Sequence, residues 1–117
     1  MMPAPIKPLI TIDVLEKIDV RVGTIWSVTD VPNSDKLVQL RVSFGDHERT
    51  IVAGMKTERS DPGEVVGRQA LFVVNLEPRK LHGALSEGML FDIGYVDGIR
   101  PVLAVPENTV PDGSRAG

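Results

Sequence analysis

Four cations set the chemistry that this sequence can perform. Lys36 lies in "VPNSDK", Arg41 in "LVQLRVSF", and Arg79 and Lys80 sit side by side in "NLEPRKLHGALSEGMLFDI", between two apolar runs. Lysine and arginine gathered on one surface neutralise phosphates and release the counterions those phosphates had condensed. The chain as a whole is acidic, with a formal net charge of -3. A global positive field is therefore absent, and any anion binding must come from a local patch.

Other chemistries find little support. There is no cysteine, so disulfides, thiolate metal sites and a cysteine nucleophile are excluded together. His47 and His82 fall in separate loops without metal-ligand spacing. Asp92 in "GMLFDIG" has no base, nucleophile and orienting partner around which a reaction could be assembled. No glycine-rich phosphate loop opens a helix. The expectation is a non-catalytic binding protein with no metal and no cofactor.

The elements that must hold the cations can be read from the pattern. At 117 residues, with 42% hydrophobic and 25% charged, the chain suits one domain with one core. Residues 1–10, rich in proline, are expected to form an extended arm, and 11–117 the folded domain. "TIDVLEKI" has Thr11 as N-cap and apolar Ile12, Leu15 and Ile18, which predicts about two helical turns. "DVRVGTIWSVTDV" alternates until Gly23, where the phase slips and a bulge or bend is expected. "LVQLRVSF" places Val38, Leu40, Val42 and Phe44 inward against Gln39, Arg41 and Ser43 outward, and forms a hairpin with "ERTIVAGM". "SDPGEVVG" offers Asp61 as N-cap, Pro62 at the first helical position, Glu64 to close a capping box and Gly67 as a stop. "RQALFVVN" and "GMLFDIGY" read as strands, and "IRPVLAV" as a last strand at an edge because of Pro101.

Helix, three strands, short helix, two strands and a strand-like tail fit a five-stranded Greek-key barrel of the OB type, with its short helix between strands three and four. An SH3-like barrel and a small sandwich share much of that pattern. In the OB arrangement "VPNSDK" joins strands one and two, and the Arg79-Lys80 segment joins strands four and five. Those two loops lie at one end of the barrel and commonly bind oligonucleotides. Lys36, Arg79, Lys80 and Arg41 would then converge on one groove.

The motifs "DVRVGTI", "PNSDKL", "RTIVAGM", "NLEPRKLHG" and "SEGML", in this order and spacing over roughly Ile12 to Arg115, resemble the tRNA-binding domain family. That domain occurs in small stand-alone tRNA-binding proteins, at the C-terminus of many methionyl-tRNA synthetases, and in the Arc1p and endothelial monocyte-activating polypeptide group. The resemblance implies an OB-fold that binds tRNA by shape, usually as a homodimer built with the N-terminal helix and the C-terminal segment "VLAVPENTVPDGSRAG". It also implies Lys36, Arg79, Lys80, Ser86 and Met89 as RNA-binding residues. Ser86 would offer its hydroxyl to a phosphate or ribose and Met89 would lie against a base, while Glu87 would orient Arg79 or Lys80 or accept a donor from RNA. Glu77 and His82 stand where the family often has basic residues, which implies modest affinity with strong salt dependence.

Trp26 is expected in the barrel or at a dimer contact, and a 4% aromatic content favours structured RNA over single strands. The related CsaA proteins share the fold and dimer, so an export-related chaperone binding unfolded polypeptides is the alternative. Partners are expected to be tRNA, a second copy of the chain and an aminoacyl-tRNA synthetase. Without a spanning segment or a signal peptide, the expected location is the cytoplasm.

Overall fold

The computed structural model describes residues 3–117, so Met1 and Met2 of the expected arm lie outside the described residues. From Pro3 to Thr11 the chain is exposed and carries neither helix nor strand. Helix α1 is a single turn, Ile12–Leu15, shorter than the two turns expected. The Thr11 side chain makes no capping bond and no residue of the helix is buried, so neither a cap nor packing extends it.

The chain is all-β with little helix. Its main sheet contains β1 (Val20–Asp30), β2 (Val38–Ser43), β3 (Glu48–Ala53), β4 (Gln69–Val73), β7 (Met89–Leu90) and β10 (Arg115–Ala116). They lie in the order β3-β2-β1-β4-β7, with β10 beside β1. Two small ladders stand apart: β5 (Arg79–Leu81) with β6 (Ala84–Ser86), and β8 (Asp92–Ile93) with β9 (Val102–Leu103). The expected "GMLFDIGY" strand is thus two short strands divided at Phe91. The "IRPVLAV" strand shrinks to β9, and the last strand is β10 instead.

β1 is what curls the sheet. It pairs with β4 through Val20–Thr24 and with β2 from Thr24 to Asp30, so one strand serves both sides of a half-barrel, consistent with an OB-like barrel. The register slips between Ile25 and Ser27, which places the bulge at Trp26 rather than at Gly23. Gly23 answers a different need. A Cβ there would stand 2.6 Å from Val42 Cγ1 and 2.8 Å from Phe44 Cε1, so a bare backbone is what lets β1 close over the core. Being the bulged residue, Trp26 points outward and is 62% exposed, not built into the barrel.

The core holds Ile25, Leu40, Val42, Phe44, Ile51, Met55, Val65 and Phe72, each 2% exposed or less. Phe44 meets Phe72 edge to face, with centroids 5.6 Å apart. The alternation read from "LVQLRVSF" holds for the inward set; Ser43 is also buried, with its hydroxyl accepting from the Gly45 N–H. Between β3 and β4, Pro62–Val65 form a 3₁₀ turn. Asp61 caps it by accepting from Gly63 N–H at 3.0 Å, whereas Glu64 turns to Arg59 at 2.6 Å and closes no capping box.

The C-terminal segment straps this same barrel. Val22 N–H donates to Ser114 O at 2.9 Å and Gly113 N–H to Val22 O at 2.7 Å. The Asp112 carboxylate receives the Thr24 hydroxyl at 2.6 Å and the Gln69 amide at 2.9 Å. No helix among the described residues is long and apolar enough to cross a membrane.

Candidate nucleic-acid interface

The first loop is fixed from within. Ser34 is buried, and its hydroxyl accepts from the N–H groups of Lys36 at 3.3 Å and Leu37 at 3.0 Å. Lys56 closes the loop from the far end of β3: its ammonium donates to Ser34 O at 2.8 Å and lies 3.5 Å from Asp30, while its N–H donates to Lys36 O at 3.1 Å. Lys36 therefore projects from a braced backbone. Lys56, which no sequence motif singles out, does the bracing.

The second segment is a hairpin rather than a loop. β5 and β6 pair Arg79 with Ser86 and Lys80 with Leu85. Their connection is the two residues His82 and Gly83, with φ of 49° and 83°. Two successive positive φ angles fit the primed turns that close two-residue hairpins, which is the work of Gly83 here. Neighbouring residues of a strand face opposite ways. Accordingly Arg79 lines the adjoining cleft and Lys80 is not among the residues lining it.

Ser86 and Glu87 tie the segment after the hairpin to β3. β3 has a free edge, and Glu87 meets it twice: its N–H donates to Thr50 O at 2.8 Å and its carboxylate accepts from Thr50 N–H at 3.0 Å. The Ser86 hydroxyl accepts from Val52 N–H at 3.0 Å and donates to Gly88 O at 2.9 Å. Arg49 adds a clamp, donating to Val74 O and, at 3.1 Å, to Glu87 O. Ser86 is 5% exposed, with its hydroxyl committed to backbone, and Glu87 holds Thr50 rather than Arg79 or Lys80.

Beside this seam opens a cleft of about 850 Å³, within the usual range for ligand sites. Lys36, from the first loop, and Arg79, from the hairpin, both border it, joined by Lys7 of the N-terminal arm. Glu58, Asp92 and Asp97 line it too, so the cations face an equal number of carboxylates. Burial raises the pKa of Glu58, with repulsion from Asp92 adding to it and Arg59 opposing; burial alone raises that of Asp92. Met89, Phe91 and Tyr95 supply apolar surface, and Met89 is 44% exposed rather than packed in the core.

Arg41 lies on the outer face of β2, paired in register with Thr50, two residues from Val52 of the cleft wall. Its guanidinium is engaged, donating to Glu48 at 3.1 Å and to the Thr50 hydroxyl at 2.9 Å. Of the expected residues, the cleft gathers Lys36, Arg79 and Met89; Arg41 flanks it, Lys80 turns away and Ser86 supports it from behind. Tyr95 and Glu58 went unmarked in the sequence, and Asp92 was weighed there only as a catalytic group, not as part of a binding cleft. The available signal was an aromatic residue set among Gly94, Asp97 and Gly98 directly after a strand.

A family model described as "Putative tRNA binding domain" matches residues 20–115, and the chain belongs to that family. Over 110 residues, 94% of its length, the chain is 44% identical to a methionine–tRNA ligase of Parabacteroides distasonis, of which it spans 16%. The crystal structure of a MetRS-related protein from Pyrococcus horikoshii superposes with a TM-score of 0.85 at 35% identity, covering 95% of this chain and all of that one. A CsaA chaperone protein from Picrophilus torridus superposes at 0.79 with 27% identity, covering 93% of this chain and all of that one.

Proposed function

We propose that the chain is a non-catalytic module that binds folded tRNA through the rim of the cleft, on an OB-fold barrel whose five principal strands are β1 to β4 and β7. The observation that carries this reading is the meeting of Lys36 and Arg79, distant in sequence, at one cleft in a chain of the tRNA-binding domain family. Arg41 extends the contact along the outer sheet face and Lys80 reaches RNA from the back of the hairpin. Met89 offers apolar surface to a base, and Ser86 serves by holding the hairpin to β3. Cations on separate elements read the spacing of phosphates, which differs between folded and unfolded RNA and carries no base sequence.

The active form is a homodimer. Ile6, Leu9, Ile12 and Leu15 at one end of the chain and Val102 and Val105 near the other are all more than half exposed, a large apolar area for a lone domain. The module acts in the cytosol, delivering tRNA to a synthetase or supporting one in trans.

A second reading has one observation in its favour. Leu37, Val52, Leu90, Phe91 and Val96 line the same cleft, and the barrel resembles a CsaA chaperone protein, so an unfolded polypeptide is the competing occupant. Salt titration separates the two. Folded tRNA should bind more tightly than heat-unfolded tRNA, and log K should fall with log salt by about 0.7 to 0.9 per phosphate contact. Salt-tolerant binding of an unfolded polypeptide, with no preference for folded tRNA, would decide for the chaperone.

A further inference from the structure

The cleft contains more than phosphate contacts require. Lys36 and Arg79 make no side-chain hydrogen bond or ion pair among the described residues, and neither do Glu58, Asp92 or the Tyr95 hydroxyl. The seam residues beside them, by contrast, are fully engaged. Tyr95 is 71% exposed and sits in the turn between β8 and β9, with its ring presented to the cleft. On the cleft wall Glu58 is half-buried and Asp92 exposed, and neither has a cation bonded to its carboxylate, which leaves a place that a partner can fill. A phosphate cannot, because like charges repel. A group that donates hydrogen bonds can.

Resting on the tRNA-binding reading, we infer that the cleft is a subsite for one unpaired nucleotide whose base carries an exocyclic amine. Its phosphate lies at Lys36 and Arg79, its ring packs on Tyr95 and Met89, and its amine donates to Glu58 and Asp92. The division of labour follows from charge. The anionic phosphate of a nucleoside monophosphate meets the cationic side of the cleft and the neutral, hydrogen-bond-donating amine of its base meets the carboxylate side, with the flat ring between them. The carboxylates also discriminate. Cytosine presents an amine donor at its pairing edge where uracil presents a carbonyl acceptor, and an acceptor facing carboxylates is repelled. Shape readout at the rim would thus be joined by a preference for the base at one unpaired position.

The test uses the whole chain with CMP and UMP as probes and with folded tRNA. In NMR titrations CMP should shift the Tyr95 ring, the Met89 methyl and the Leu90 amide, and should bind several-fold more tightly than UMP. Glu58→Gln combined with Asp92→Asn should shrink that difference. Tyr95→Ala, at an exposed position, should weaken tRNA binding by roughly 5- to 100-fold, the range for one stacked base, while leaving the salt slope unchanged because no phosphate contact is lost. Equal binding of CMP and UMP, or full tRNA affinity in Tyr95→Ala, overturns the subsite while the steep salt dependence of the wild type leaves tRNA binding intact. Loss of that salt dependence itself overturns the underlying reading. Cleft shifts produced by an unfolded polypeptide and not by either nucleotide would assign the cleft to peptide and overturn the proposal as well.

Discussion

Replacing Ser86 by alanine removes one hydroxyl and orphans two backbone groups. Val52 N–H loses its acceptor and Gly88 O loses its donor, at a seam where Ser86 is 5% exposed and Val52 8% exposed. An unpaired buried polar group costs about 1–3 kcal/mol. The Val52 bond is buried while the Gly88 side is only part-buried and open to water, so the sum falls at about 2–4 kcal/mol, a large share of the roughly 5–15 kcal/mol that holds a domain together. With a urea m-value of about 1–2 kcal/mol/M, the midpoint should drop by about 1–4 M with m unchanged. Urea denaturation followed by far-UV circular dichroism and by Trp26 fluorescence measures it. At a temperature where both proteins are folded, tRNA affinity should be nearly equal. An unchanged midpoint together with a large loss of tRNA affinity would show that the hydroxyl faces RNA and that the seam argument is mistaken.

Three further outcomes follow from the same geometry. Glu87→Gln keeps an oxygen for Thr50 N–H and should be close to neutral, whereas Glu87→Ala should lower the urea midpoint by an amount matching about 1 kcal/mol. Gly23→Ala drives a methyl into Val42 and Phe44 and should cost about 1–3 kcal/mol, partly restored by Val42→Ala in the same chain. Asp112→Ala frees the C-terminal strap, so the amides of Val22 and Gly113 should exchange hydrogen faster while those of β2 stay protected.

The pH dependence has a definite sign. Glu58 and Asp92 have raised pKa values, so each holds its proton more tightly in the folded chain than in the unfolded one. Their contribution to stability is full below the ordinary carboxylate range and is lost as pH rises through the raised folded values. The Glu58→Gln, Asp92→Asn variant should therefore melt higher than the wild type at neutral pH and at the same temperature below about pH 3. A variant that melts lower at neutral pH would mean that these carboxylates stabilise the fold.

The inward face of β2 and the capping role of Asp61 were legible because each rests on a local rule, alternation or side-chain capping; that Lys36 and Arg79 border one cleft was expected only through the topology the element order suggested. What stayed hidden depends on partners far along the chain. The phase slip near Gly23 is visible in sequence, but only the positions of Val42 and Phe44 explain the glycine, and the bulge falls at Trp26. "SEGML" drew attention as a motif, yet nothing local says that its serine and glutamate hold the edge of β3. The Arg79-Lys80 pair looked like one charge cluster, and the hairpin pleat divides it. Tyr95, Asp92 and Glu58 line one cleft because the segments after β3 and after β7 meet there, which no local pattern announces.

The salt dependence of tRNA binding in a Lys36→Ala, Arg79→Ala variant tests the central claim most directly. If both cations neutralise phosphates at the cleft, the log K against log salt slope should become shallower than that of the wild type by about 1.4 to 1.8 for each protomer engaged. A slope identical to the wild type, with folding intact, would show that tRNA is held elsewhere.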